Sequence, residues 1–114
     1  MSTFFDHILS GDGYYITAVG TVYHARRAMA EIAFDAVLLD LSLPDGDGMD
    51  LVREMRGDYP FLKILAMSGF LVGDMPHIAI AAGATATLAK PATPRQIRFA
   101  VYSLLEPSGR WCGA

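Results

Sequence analysis

Cysteine is almost missing from this 114-residue chain, with Cys112 its only representative. No internal disulfide framework is therefore available, and a lone thiol fits a reducing compartment. A basic excess is missing too. Nine Lys and Arg against 12 Asp and Glu leave a formal net charge of −3. That balance offers little to hold a nucleic-acid backbone, so direct nucleic-acid binding is not expected. No apolar run approaches ~18 residues, so no membrane span is expected either. The start Met1-Ser2-Thr3-Phe4-Phe5-Asp6 lacks the basic opening of a signal peptide. Histidine is sparse, and His7, His24 and His77 stand at no zinc-ligand spacing. There is no internal repeat and no low-complexity tract. These absences together imply a soluble cytoplasmic domain.

What is present is apolar and regularly punctuated. Hydrophobic residues make up 53% of the chain, enough for one globular domain with a real core. Thr3 to Ser10 reads as a short helix with Asp6 at capping-box spacing from Thr3, ended by Gly11-Asp12-Gly13. Tyr14 to Val19 is aromatic and β-branched, which predicts a strand. A helix follows to about Ile32, with Val22, Ala25, Met29 and Ile32 at helical spacing. Ala36 to Leu41 is apolar without alternation, the mark of a strand buried on both faces of a parallel sheet. Asp47 caps a helix from about Gly48 to Arg56, with Asp50 in its first turn, where the helix dipole favours an acid. Phe61 to Met67 is the third strand, and Asp74-Met75-Pro76 opens a helix that stops at Gly83. Thr85 to Ala89 is the fourth strand, and Thr93-Pro94-Arg95-Gln96 is a capping box for a last helix with Ile97, Val101, Leu104 and Leu105 as its core stripe. Pro107 ends that helix, so residues 1–106 form the domain and 107–114 a loose tail. The alternation of strands and helices argues for a parallel sheet covered on both faces.

Three polar residues fall where successive strands end: Asp40, Ser68 and Lys90. Parallel strands place their C-terminal ends on one rim, where open α/β sheets bind ligands. A carboxylate there can attack phosphorus as a nucleophile. A hydroxyl and an ammonium can then receive the phosphoryl oxygens. The added negative charge calls for a hard cation such as Mg2+ on oxygen ligands.

With these residues in order, the chain resembles the receiver domains of response regulators. Leu38-Leu39-Asp40-Leu41-Ser42-Leu43-Pro44-Asp45-Gly46-Asp47-Gly48 is similar to the family's phosphoacceptor segment. Ile64-Leu65-Ala66-Met67-Ser68-Gly69 is similar to its fourth strand with the switch hydroxyl. Ala82-Gly83-Ala84-Thr85-Ala86-Thr87-Leu88-Ala89-Lys90-Pro91 is similar to its fifth strand with the Lys-Pro pair. The resemblance spans about residues 3 to 106. It implies a flavodoxin-like, doubly wound parallel sheet of family order 2-1-3-4-5, with four strands visible here. It also implies that Asp40 accepts a phosphoryl group from a histidine kinase, phosphotransfer protein or small phosphodonor. Asp40 and the backbone carbonyl of Ser42 would ligate Mg2+, Ser68 and Lys90 would bind the phosphoryl group, and Pro44, Gly48 and Pro91 would shape the loops.

Two departures follow from the same resemblance. Aligned on Gly13-Tyr14, the family's first strand and its acidic metal pair would fall before Met1. Asp6, Asp12 and Asp45 are the substitutes at hand, and Asp45 alone lies on the right rim. The aromatic that the family often carries three residues before its Lys is Thr87 here. A vacant central strand of about five apolar residues would forgo roughly 8–15 kcal/mol, as much as the ~5–15 kcal/mol that holds a typical domain together. Bare strand edges would result. Tyr14–Val19 pairing directly with Ala36–Leu41, association or exchange between two chains, or a start upstream of Met1 would each relieve this.

Other features read blandly. Asp45-Gly46-Asp47-Gly48 fails the calcium-loop pattern, with Met49 and Arg56 at ligand positions. No P-loop Lys follows Gly11-Asp12-Gly13. The six Met residues are read as core filler. Phe99 and Tyr102 lie off the last helix's core stripe beside Arg95 and Arg98, either half-buried or part of a partner surface, since receivers commonly dimerise through their fourth and fifth helices. The expected function is a single-domain receiver in a two-component phosphorelay, acting through a downstream protein partner and as a homodimer. The competing expectation is a degenerate receiver that works as an interaction module without phosphorylation. No second general base or substrate pocket is visible, so an enzyme proper is not expected.

Overall fold

A computed structural model describes residues 13, 15–41, 48–69, 75–105 and 110–113. Its strands are β1 (Tyr15–Ala18), β2 (Ala36–Asp40), β3 (Lys63–Ser68), β4 (Ala86–Ala89) and β5 (Arg110–Gly113). Its helices are α1 (Val22–Glu31), α2 (Gly48–Asp58), α3 (Met75–Ala82) and α4 (Pro94–Leu104). The expected helix over Thr3–Ser10 lies outside the described residues. Local chemistry sets several boundaries. Thr21 caps α1 by accepting the His24 backbone N–H at 3.1 Å. Thr93 and Gln96 close the expected capping box on α4, with Pro94 at its first turn. Gly83 follows α3 with φ +127°, a conformation in which L side chains are strained.

All pairings are parallel, and the sheet runs β1-β5-β2-β3-β4. This is the expected flavodoxin-like arrangement with one correction. Residues 110–113 are no loose tail, and the sheet has five strands rather than four. Arg110–Gly113 fills the central slot between β1 and β2, with Trp111 opposite both Ile16 and Ala36 and Cys112 opposite Thr17 and Val37. Tyr14–Val19 does not pair with Ala36–Leu41, because β5 stands between them. The hydrogen-bonding groups of two strand edges draw the segment in, and both faces of the sheet then bury its side chains.

Those side chains divide between two cores. Val37, Leu39, Ile64, Ala66 and Cys112 face α1 and α2, where Ala25, Met29, Leu51, Val52 and Met55 are buried. Ala36, Leu38, Leu65, Met67 and Trp111 face Ile97 and Val101 of α4. The alternation along β2 is that of any strand, and helices on both sides make it apolar throughout. Arg26 joins α1 to α2 through both oxygens of Glu54, at 2.9 and 3.0 Å. Arg56 ties the end of α2 to the segment after α3. Its guanidinium donates to Gly83 O at 2.9 Å, Pro60 O at 2.9 Å, Tyr59 O at 3.2 Å and Thr85 Oγ1 at 3.3 Å.

Candidate functional site

Strand register decides which polar residues meet. Asp40 is the last residue of β2 and lies opposite Met67, one residue before Ser68 ends β3. Ser68 lies opposite Ala89, and its carbonyl accepts the Lys90 backbone N–H at 3.1 Å. Three adjacent strands thus deliver Asp40, Ser68 and Lys90 to one rim, as their sequence positions suggested. The Lys90 ammonium donates to Asp40 Oδ2 in a salt bridge. Asp40 and Ser68 are the only buried polar or charged residues among those described, 8% and 3% exposed. Burying a carboxylate is costly without a charged partner, and Lys90 supplies one. The Lys side chain stays one-third exposed, so the pair can be reached from solvent. The Lys90–Pro91 peptide bond is cis.

Gly48 starts α2 directly against Leu41 at the end of β2. A Cβ at Gly48 would stand 2.4 Å from Leu41 Cα and 2.7 Å from Leu41 O, closer than real contacts allow, so α2 can start against β2's exit only with glycine there. Ser42, Pro44 and Asp45 lie outside the described residues, as do Asp6 and Asp12. Thr87 is half-buried on β4, opposite Ala66.

Among the described residues, the rim supplies one carboxylate towards a magnesium site. Mg2+ asks for near-octahedral oxygen ligation. Among the described residues, no group of three or more His, Cys, Asp or Glu side chains is placed to hold a metal. The strand ends Ala18, Gly113, Asp40, Ser68 and Ala89 offer one carboxylate. The strand beside β2, the place of the family's first strand, is Arg110-Trp111-Cys112-Gly113.

The fold, the rim and the motifs converge with comparison to known proteins. Residues 1–102 match the model of the response regulator receiver domain. The chain belongs to the response-regulator receiver family. Its relatives include the alginate biosynthesis transcriptional regulatory protein AlgB of Pseudomonas syringae, 31% identical over 102 residues, covering 90% of this chain and 23% of the relative. A probable transcriptional regulatory protein y4xI of Sinorhizobium fredii is 30% identical over 100 residues, covering 88% of this chain and 44% of its own length. The chain thus spans less than half of these regulators. Among solved structures, a CheY-like receiver of Methanospirillum hungatei superposes with TM-score 0.80 at 24% identity, covering 86% of this chain and 78% of the other. The beryllofluoride-activated NtrC4 receiver domain dimer gives 0.84 at 24% identity, covering 90% and 85%. The receiver match ends at residue 102, so β5 is drawn from beyond the stretch that matches the family.

Sequence reasoning did not anticipate β5 at this sheet. Its signal was slight: Pro107-Ser108-Gly109 is turn punctuation, and an aromatic follows it. Four residues are too few to display a strand period. Phe99 and Tyr102, left open between burial and a partner surface, are 76% and 50% exposed. Phe99 borders a groove of about 500 Å3 with Thr87, Leu88, Arg95 and Ala100. Among the described residues no helix is long and apolar enough to cross a membrane.

Proposed function

We propose that this receiver domain carries a two-component phosphorelay signal through Asp40. The observation that supports this reading is the buried Asp40–Lys90 pair on the strand rim, one register step from Ser68. An Asp40 oxygen would attack the phosphorus of a kinase phosphohistidine or a small acyl phosphate. The Oδ–P bond forms as the P–N or P–O bond to the donor breaks, and the leaving group takes the electron pair. The Lys90 ammonium would move from the carboxylate to a phosphoryl oxygen, and the Ser68 hydroxyl would donate to another. Signal would then leave through protein contacts, with histidine kinase or phosphotransfer protein upstream and a protein partner downstream. The exposed Phe99 and Tyr102 on α4 suit a homodimer face.

One observation favours a second reading, a receiver that binds partners without phosphorylation. The described rim offers a single carboxylate, a weak hold for the cation that would neutralise the charge of an acyl phosphate. Labelling with a radioactive small acyl phosphate, with and without Mg2+, separates the two. Incorporation into the unaltered chain that disappears in Asp40→Asn supports phosphotransfer. No incorporation under either condition, with partner binding intact in Asp40→Asn, supports the interaction module.

A further inference from the structure

We propose that the end of the sheet opposite the Asp40 rim carries a docking surface for an arginine-bearing segment of a partner protein. Its centre is an open cavity of about 390 Å3 whose walls include Phe34, Asp35, Asp58, Tyr59, Pro60 and Phe61. A second cavity of about 360 Å3, beside the end of α1, shares Phe34 and Tyr59 with the first. Phe61 is 95% exposed, and Tyr59 is exposed too. A single aromatic in water is ordinary, but here three surround one cavity. The turn that displays them is fixed. The Tyr59 N–H donates to Met55 O at 2.8 Å, and the Leu62 N–H to Tyr59 O at 3.1 Å. The Tyr59 hydroxyl donates to Met29 O at 3.2 Å. Arg56 holds the carbonyls of both Tyr59 and Pro60. Phe61 therefore stands in water on a turn with little freedom left to lose, the condition under which an exposed aromatic anchors a partner at low entropic cost.

Charge selects the occupant. Asp58 is the last residue of α2, the end at which the helix dipole disfavours a carboxylate. Asp35 precedes β2 and uses Oδ2 to accept the Arg110 backbone N–H at 3.0 Å. Among the described residues neither carboxylate forms a salt bridge, although Lys63 and Arg110 are exposed close by in sequence. Glu31, on the second cavity, is already paired with Arg27 at 3.5 Å. A cation in the first cavity would offset the unfavourable dipole at Asp58 and meet aromatic walls at once. A guanidinium suits both better than an ammonium, because its plane stacks on a ring while its fork pairs with a carboxylate. The formal net charge of −3 adds long-range attraction for a basic segment. The five residues of β2 set this end ~17 Å from the Asp40 rim at ~3.3 Å per residue. Both ends can therefore be occupied together.

Titrating the full, isotope-labelled chain with the acetylated peptide amide Gly-Arg-Phe-Arg-Gly, followed by backbone amide NMR shifts, tests this. The shifts should centre on Asp35, Asp58, Tyr59 and Phe61 and saturate with a dissociation constant of roughly 1 mM or below. Citrulline in place of both arginines keeps the shape and removes the charge, and it should weaken binding by ~10-fold or more. Phe61→Ser and Asp58→Asn should each weaken binding by ~10-fold as well. Neither should lower the thermal midpoint, since the Phe61 ring lies in water and the Asp58 charge opposes the dipole of its own helix. Asp40→Asn should bind the peptide as the unaltered chain does, so the result is independent of phosphotransfer. The absence of a saturable shift overturns the proposal, as do shifts centred on Phe99 and Tyr102 of α4 or equal binding of the citrulline peptide. Argininamide alone saturating the same amides at the same concentration overturns it too, because the cavity would then take a small cation rather than a protein segment.

Discussion

At the residue scale, the Lys90 ammonium donates to the Asp40 carboxylate where β2 and β4 end. Asp40, Ser68 and Lys90 each end a strand whose apolar run is plain in the sequence, so their convergence followed from parallel pairing alone. That Lys90 sits on Asp40 in a direct ion pair required the register of three strands. Gly83 shows the same division. A helix stop was legible at that position, but its φ of +127° and the 2.6 Å approach of a hypothetical Cβ to Arg56 Cβ come from α2 lying across it. Gly83→Ala should therefore destabilise the fold by about 1–3 kcal/mol, the range for strained backbone, read as a lower urea midpoint with an unchanged slope. Cys112 makes a second prediction. Burial pushes its thiol up to about 11 from an ordinary 9.0. The folded state thus keeps the thiol neutral while the unfolded chain releases its proton. Its contribution is fully present below pH 9 and is lost as pH rises from 9 to about 11. Urea unfolding of the unaltered chain and Cys112→Ala should show their difference in stability shrinking by about 1.4 kcal/mol for each pH unit in that window.

At the element scale, legibility followed locality. The capping box of α4 involves four consecutive residues, and the structure forms it as written. β2 was legible because four successive apolar positions, Ala36 to Leu39, can be satisfied only between two layers, and all four are buried. β5 has no such local signature. Its four residues are a strand because β1 and β2 offer unpaired edges on either side and because Trp111 completes the core under α4. Trp111 is also the chain's only tryptophan, which makes its fluorescence a report on this strand. Trp111→Ala should destabilise by about 3–5 kcal/mol, as for other buried large aromatics. Trp111→Phe, which keeps most of the apolar volume, should cost less than half of that, and chemical denaturation followed by circular dichroism ranks the two.

At the scale of the whole molecule, the central slot dominates. The family's sheet order is kept, but the strand next to β2 comes from after α4. The sheet therefore needs its final residues to close. Removing residues 110–114 should reopen the slot and expose two edges in the middle of the sheet. The expected result is loss of a cooperative thermal transition by circular dichroism, with a hydrophobic dye bound at room temperature. A truncated chain that melts as cooperatively as the full chain would mean that β1 and β2 can close the gap unaided.

The sequence by itself determined the helices and strands of residues 15–104, the parallel class of the sheet and the polar triad at its rim, because periodicity, caps and strand-end charges act over a few neighbouring residues. The resemblance to the receiver family also raised the question of what lies between Tyr15–Ala18 and Ala36–Asp40. Only the tertiary structure decided what fills that position. Arg110–Gly113 becomes a strand through pairing with residues some 75 and 95 positions earlier in the chain, and pairing at that distance leaves no periodic trace in four residues. The same fact decided the chemistry beside Asp40: the strand that arrived carries Trp, Cys and Gly where the family has its acidic strand, so among the described residues the rim holds one acid and one lysine.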